Sequence, residues 1–198
     1  MKSNSIENLD YVRRVTVIAV CFNSNDILPE MLASVPDGIA VILIDNGSAN
    51  VASLRSVAES YGAELIRNDI NCGFGVACNQ GAEFVKTEFV MFLNPDARLQ
   101  PDTLKILVDF ADRLPLVSAM NPRLVNESGR ASFQRRSWLV ERSKWMARGW
   151  PPNDVEVPVL SGAALFVRKE AFDSVGGFDP TSQRQRAPGT RHFSLSRR

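Results

Sequence analysis

Two aspartates follow buried strand patterns, and each could hold a ligand. Asp96 comes after Phe89 to Leu93, five apolar residues that are too few for a helix and typical of a strand covered on both faces. Pro95 ends that strand, because proline has no N–H to donate to a ladder. Asp45 follows the apolar run 40–44 in the same way. Open α/β sheets bind ligands beyond the carboxyl ends of their strands, so both carboxylates are candidates for a ligand site.

Both aspartates also have an interpretation that needs no ligand. Asp45 begins the sequence Asp-Asn-Gly-Ser, which is ordinary turn chemistry. Asp96 could cap the next helix after a Pro-Asp turn. We favour the ligand role because the two residues hold equivalent positions after two strands.

The elements that would position these residues alternate between strand and helix. The predicted strands are 15–22, 40–44, 64–67 and 89–93, and the predicted helices are 27–35, 51–61, the segment from the glycine turn to about 86, and 104–114. This alternation predicts an α/β fold with a mostly parallel sheet sandwiched by helices. All loops after the strands then open at one edge, where four polar residues should converge: Asn23, Asp45, Asn68 and Asp96.

The pattern weakens beyond Pro115. Residues 117–120 predict a fifth strand, 157–168 a further buried segment and 169–175 a short helix. Residues 123–152 carry seven Arg or Lys and three Trp, with few periodic cues, and suggest a lid or surface excursion. We therefore divide the chain into a polar leader at 1–14, an α/β half at 15–121, a remaining portion of the same domain at 122–180, and an Arg-rich disordered tail at 181–198. We expect the C-terminal portion of the fold to be irregular.

Composition excludes several classes of protein. With 23 basic and 22 acidic residues, no overall charge favours a nucleic acid partner. Cys21, Cys72 and Cys78 have no Cys-x-x-Cys spacing, and the single His192 rules out a His-rich metal site. The N-terminus lacks the apolar core of a signal peptide and no apolar run approaches the length of a membrane span. We expect a cytoplasmic protein, which leaves open work at a membrane surface.

Five segments occur along the chain in a recognisable order. They are FNS at Phe22–Ser24, DNGS at Asp45–Ser48, NCGFGVACNQG at Asn71–Gly81, FLNPDA at Phe92–Ala97 and LSGAALFVRKEAFDSVGGFD at Leu160–Asp179. Together they resemble the family 2 glycosyltransferases of the GT-A fold, and the rhamnosyltransferase-like branch in particular. The resemblance covers about nine tenths of the chain, which makes it more specific than any single motif.

The resemblance implies an inverting enzyme that moves a sugar from a nucleoside diphosphate-sugar donor to a saccharide or lipid-linked acceptor, in cell-envelope or surface polysaccharide synthesis. Asp96 would be the remaining acid of the family's DxD-type motif and would hold Mg²⁺ or Mn²⁺. The residues implied to bind the nucleotide-sugar are Phe22, Asn23, Asp45, Asn68, Gly73 and Asn94. Region 122–180 would be the acceptor side, and peripheral contact with the inner face of the membrane would follow from a lipid-linked acceptor.

The family's general base is expected shortly after the GGFD segment. Here the residues after Asp179 include five Arg and no acidic side chain. The catalytic base is therefore unknown, and we interpret the chain as truncated or frame-disrupted after Asp179. The alternative to an active transferase is a catalytically incompetent nucleotide-sugar-binding domain.

Three further interpretations concern the glycine loop, a basic segment and two cysteines. A Rossmann dehydrogenase is disfavoured because Gly73 and Gly75 follow the third strand and lack the third glycine of the fingerprint. The basic segment Arg130–Trp150 could contact anionic lipid or RNA, or could be a solvated loop. Cys72 and Cys78 flank the glycine loop, where we expect small hydrophobic residues and no redox or metal role.

Overall fold

The structure, a computed structural model, describes residues 10–126, 128–131, 141–144, 151, 153–157 and 159–180. Its strands are β1 (Val15–Cys21), β2 (Ala40–Asn46), β3 (Glu64–Asn68), β4 (Phe89–Leu93), β5 (Ala119–Met120) and β6 (Ala164–Arg168). Its helices are α1 (Leu28–Ala33), α2 (Val51–Ser60), α3 (Phe74–Glu83), α4 (Thr103–Arg113) and α5 (Lys169–Ser174), with 3-10 turns at Asp10–Arg14 and Arg142–Lys144.

The described strands form one sheet in the order β3-β2-β1-β4-β6-β5. β1 pairs in parallel with β2 and β4, and β2 pairs in parallel with β3. β6 runs antiparallel to both β4 and β5. The predicted mostly parallel α/β sheet is therefore confirmed. The loops after β1 to β4 open at one side, which we call the carboxyl edge, and the opposite side is the amino edge.

Strand β4 separates two hydrophobic cores, one on each face of the sheet. Phe89, Met91 and Leu93 belong to the core that includes α4, while Val90 and Phe92 belong to the core that includes α3 and α5. Every residue of this strand is buried. Burying a side chain of this size contributes about 1.5 to 3 kcal/mol, which explains why an all-apolar strand occupies the middle of the sheet.

Helix α3 approaches the sheet unusually closely. A Cβ at Gly81 would lie 2.9 Å from Ile18 Cγ2, so only glycine fits at this crossing. From the same helix, Asn79 accepts a hydrogen bond from Phe178 N (2.8 Å) and donates one to Phe178 O (2.9 Å). Gly177 permits that contact, because a Cβ there would lie 2.5 Å from Asn79 Oδ1. The GGF segment is thereby fixed to α3.

Ion pairs hold the amino edge together. Arg14 donates through Nε to Glu88 (2.8 Å) and through both Nη atoms to Asp112 (2.7 Å each). Arg168 donates to the same Glu88 (3.2 Å). Both guanidinium groups lie over the ring of Phe89, at 5.3 and 5.1 Å from its centroid. The hydrogen bond from Arg14 lowers the pKa of the Asp112 carboxyl.

Among the predicted boundaries that differ from the structure, those of β2 and β6 bear on the site. β2 continues through Asp45 and Asn46, which the sequence placed in a turn, because hydrogen-bonded partners allow both polar side chains to be buried within the strand. β6 begins at Ala164, although the buried pattern predicted a segment from 157. Strand β4 has the predicted bounds, and the fifth strand is confirmed as the short β5 at 119–120.

The two ends of the chain and the basic excursion are described only in part. Residues 10–14, which close the predicted leader, form a 3-10 turn whose Tyr11 and Val12 pack against the core. Most of the basic segment 130–150 and all of 181–198 lie outside the described residues, so the disordered tail stays a prediction. Among the helices that the structure describes, none has the length and apolar character to cross a bilayer.

Candidate functional site

The carboxyl edge brings together the polar residues that follow the parallel strands. In the sheet register Cys21 lies beside Asp45, and Asp45 beside Arg67, so the ends of β1, β2 and β3 form one row. β4 flanks β1 on its other side and leads into Asn94 and Asp96. The predicted convergence of the strand-end residues at one edge is therefore confirmed.

Asp45 is fully buried, and both of its oxygens have partners. Oδ1 accepts from Ser48 N (2.8 Å), and Oδ2 pairs with Arg67 Nη1 (2.5 Å). The side chain of Arg67 is 35% exposed, while that of Asp45 has no exposed surface. The carboxylate therefore orients the guanidinium, and the group that faces solvent here is Arg67. Sequence reasoning missed Arg67, although a cation at the end of a predicted strand beside Asp45 was a usable signal.

The loops after β1 and β2 are joined through Asn23. Its backbone N donates to Ser48 Oγ (3.0 Å), and its Oδ1 accepts from Ala49 N (2.9 Å). Asn23 has a positive φ of 52°, a conformation that asparagine tolerates better than most residues. The adjacent Phe22 is 50% exposed. Asn23 thus fixes the loop, and Phe22 presents an aromatic surface beside it.

Asn46, which the sequence analysis did not select, is the centre of a neutral network. Its Oδ1 accepts from Asn68 Nδ2 (3.2 Å), Cys72 N (3.1 Å) and Cys72 Sγ (3.1 Å). Its Nδ2 donates to Asn71 Oδ1 (2.9 Å). Asn68 also donates to Gln80 Oε1 (2.8 Å) in α3. The predicted Asn68 therefore helps to hold the loop between β3 and α3.

That loop lies directly on the turn after β2. A Cβ at Gly47 would lie 2.9 Å from Asn71 N, and Gly47 has φ +85°, so the close approach requires glycine. Gly73 has φ +92° and precedes the first residue of α3, with its N bonded to Asn71 Oδ1 (3.0 Å). The glycine loop thereby delivers the amino terminus of a ten-residue helix to the carboxyl edge.

The turn after β4 presents Asp96 to solvent. Asn94 O accepts from Ala97 N (3.0 Å), which closes the turn, and Asn94 N donates to Ala163 O (2.9 Å). Asp96 is exposed between these fixed points. The turn is thus held by backbone hydrogen bonds, and its carboxylate is accessible to a ligand.

Asp96 suits a metal that a ligand helps to hold. Within the described residues, no group of three or more His, Cys, Asp and Glu side chains could bind an ion by itself. Mg²⁺ in phosphate sites is usually held by one or two carboxylates together with water and substrate phosphates. A single exposed carboxylate on a fixed turn fits that arrangement.

The cysteines are not reactive thiolates. Burial raises the pKa of the Cys21 thiol to about 12 and that of Cys78 well above its ordinary value. Burial also raises the pKa of Cys72, and no described cysteine forms a disulfide. The thiolate is the reactive form of cysteine, so these groups remain protonated near neutral pH.

Comparison with solved structures shows the fold. The mannosyltransferase PcManGT from Pyrobaculum calidifontis, solved with GDP-Man and Mn²⁺, superposes with a TM-score of 0.60 at 22% identity, over 84% of this chain and 48% of that one. TarS 1-349 from S. aureus, solved with UDP, gives a TM-score of 0.59 at 19% identity, over 87% and 52%. These superpositions show that the chain has the GT-A fold.

Sequence comparison gives the family. The profile described as Glycosyl transferase family 2 matches residues 16–176, and the chain belongs to that family. An N-acetylglucosaminyl-diphospho-decaprenol L-rhamnosyltransferase of Mycobacterium tuberculosis is 28% identical over 82% of this chain and 64% of its own length. A pre-mycofactocin glycosyltransferase of the same species is 30% identical over 85% and 36%. The chain thus spans less than two thirds of the length of these relatives.

Proposed function

We propose that the protein is a glycosyltransferase that moves a sugar from a nucleoside diphosphate-sugar donor to a saccharide or lipid-linked acceptor. Transfer would invert the anomeric carbon and serve the synthesis of a cell-envelope or surface polysaccharide. The observation that carries the proposal is the carboxyl edge of a family 2 fold, where an exposed Asp96 and the glycine loop before α3 follow strands that end at the same side of the sheet.

The nucleoside would bind at the ends of β1 to β3. Phe22 offers an exposed ring on which a base can stack, and Arg67 offers donors to its polar edge. Asp45 contributes through Arg67, since its own oxygens are already bonded. Asn23 and Asn68 hold the surrounding loops, which fixes the shape of this pocket.

The diphosphate would lie between Gly73 and Asp96. The backbone N–H groups at the start of a helix favour an anion, and Gly73 lets the chain approach the phosphates without a side chain between them. Asn94 orients the turn, and Asp96 would hold Mg²⁺ or Mn²⁺. When bound, the metal would stabilise the charge that develops on the leaving diphosphate.

The proposed acceptor and the proposed cellular location are both supported by membership of the family. The mycobacterial relative is named for a lipid-diphosphate substrate, which supports a lipid-linked acceptor here. We place the protein in the cytoplasm, at the inner face of the membrane when its acceptor is lipid-linked. No residue is assigned as general base, because the residues after Asp179 include no acidic side chain.

A thermal melt with and without nucleotide tests the donor site. UDP, dTDP and GDP are each added with and without Mn²⁺, and one nucleotide should raise the transition temperature only in the presence of metal. Ligand at about a hundred times its dissociation constant adds about 2.7 kcal/mol. For a chain of this size, that corresponds to roughly 5 to 10 °C.

Two variants sharpen the test. Asp96→Ala should abolish the metal-dependent shift, whereas Asp37→Ala removes an exposed carboxylate from the turn before β2, at the amino edge, and should leave the shift intact. An Asp96→Ala chain that keeps the full shift would refute the metal assignment. A folded wild-type chain that ignores every nucleotide would refute the donor site, and donor binding without transfer would identify the binding-domain alternative.

A further inference from the structure

Asn121 holds a distant segment of backbone at the carboxyl edge. Its Oδ1 accepts from Ser161 N (2.7 Å), and its Nδ2 donates to Ser161 O (2.9 Å) and to Ala164 O. The carboxamide thereby pairs with both backbone groups of a residue 40 positions away. Buried or half-buried backbone groups need such partners, and here one side chain provides them.

The segment that Asn121 holds is bonded to the turn that carries Asp96. Ala163, between the two residues that Asn121 contacts, accepts from Asn94 N (2.9 Å), and Asn94 O in turn closes the turn onto Ala97 N (3.0 Å). A continuous series of hydrogen bonds therefore leads from Asn121 through Ala163 and Asn94 to the backbone around Asp96.

The hydrogen bond from Asn94 N to Ala163 O closes the β4–β6 ladder, whose last pair is Leu93 and Ala164. Ala163 and the residues before it have no further pairing in that ladder. Within the segment itself, Ala163 N donates to Ser161 Oγ (3.2 Å). Ser161, which Asn121 holds, therefore supports the residue at the end of the ladder.

We propose that Asn121 is a positioning residue for the metal-binding turn: by fixing Ser161 and Ala164 it sets the Ala163 carbonyl, which anchors Asn94 and so places Asp96. The inference rests on the proposed function, because it concerns the metal that Asp96 would hold. Residues that orient metal ligands typically change metal affinity by about 10- to 100-fold when they are replaced. Loss of Asn121 should therefore weaken the metal-dependent part of nucleotide binding.

The experiment compares two asparagines with the same local chemistry. Asn121 pairs with N and O of Ser161, and Asn79 pairs with N and O of Phe178, in the segment that is fixed to α3. Calorimetry gives the affinity for the nucleotide that stabilises the wild-type chain most, in Mn²⁺ and in EDTA. Asn121→Leu should reduce the ratio of the two affinities about tenfold or more. Asn79→Leu should leave that ratio unchanged, although both variants lose stability.

Each outcome bears on the inference. An Asn121→Leu chain with the wild-type ratio would overturn it, as would an equal fall in both variants, while the donor site would stand. A wild-type chain whose affinity ignores Mn²⁺ would overturn both proposals. If Asn121→Leu does not fold, amide exchange in the wild-type chain decides. Mn²⁺ and nucleotide together should slow exchange at Ser161 N through reciprocal coupling, and unchanged exchange there would reject the coupling.

Discussion

The two edges of the sheet are closed by different chemistry. At the amino edge, Arg14 and Arg168 share Glu88 and stack over Phe89, so formal charges are paired with one another. At the carboxyl edge, the linking groups are mainly neutral amides, and the exposed carboxylate of Asp96 stands apart from them. Charges at the amino edge are committed to holding the fold, whereas the carboxyl edge is held mainly by neutral groups that leave a carboxylate available.

The buried pair of Asp45 and Arg67 is the exception at the carboxyl edge, and breaking it should give the largest effect. Arg67→Met leaves a fully buried carboxylate that still accepts a hydrogen bond from Ser48 N. Removing one member of a buried pair costs about 3 to 5 kcal/mol, and the partial exposure of Arg67 places the expected loss near the lower value, about 3 kcal/mol. Urea unfolding measures the change.

The same variant should also weaken nucleotide binding, because Arg67 is proposed to contact the base. Adding Asp45→Asn to Arg67→Met neutralises the buried charge and should restore part of the stability without restoring affinity. If Arg67→Met lowers the free energy of unfolding by less than about 1 kcal/mol, the Asp45–Arg67 pair contributes no more than an ordinary surface ion pair. It would then not be an exception at the carboxyl edge.

Breaking the amino edge should affect stability alone. Arg14→Met removes three charge-assisted hydrogen bonds while keeping the apolar stem, and side chains here remain partly exposed. We expect a loss of about 2 kcal/mol in the free energy of unfolding. The affinity for nucleotide and Mn²⁺ should stay at the wild-type value. A change in affinity comparable to that of Arg67→Met would contradict the division between the edges.

A smaller effect should appear in the pH dependence of stability. The pKa of Asp112 is lowered in the folded chain, chiefly by its hydrogen bond from Arg14. Its contribution is therefore present above the unfolded value of about 4 and is lost as the pH falls through the lower folded value. The stability difference between wild type and Arg14→Met should shrink between pH 5 and pH 3. Unfolding curves of both chains at pH 5 and pH 3 measure this stability difference. If it is the same at both pH values, the Arg14–Asp112 hydrogen bond is not coupled to the protonation of Asp112.

Local sequence was sufficient for the elements that depend on local pattern. β4 has its predicted bounds because five consecutive apolar residues can be accommodated only where both faces are covered. The meeting of the strand ends at one edge followed from the alternation of strands with helices and from the parallel pairing that this alternation predicts. β6 was predicted too long because the backbone of Ser161 pairs with the side chain of Asn121, which lies far away in the sequence, and not with a neighbouring strand.

For the residues at the carboxyl edge, the sequence predicted their location better than the contacts that each of them makes. Asp45 was correctly placed at the edge, but its burial depends on Arg67 being beside it in the register of β2 and β3, which composition does not reveal. Asn46 lies in the Asp45–Ser48 segment but was interpreted as part of a turn, and Asn121 lies in none of the five segments. Their roles depend on contacts 22 to 43 residues away, so single-chain periodicity offered no signal for them.

The contact between Asn121 and Ser161 also bears on how this protein can diverge. It brings the two ends of residues 122–160 together at one contact beside the sheet. The entropy of closing a flexible loop rises slowly, by about 0.6 kcal/mol for each doubling of length. On that ground alone, a change in the length of this interval costs little loop-closure entropy. Under the proposed function, the acceptor side could then vary in length while the donor half is kept.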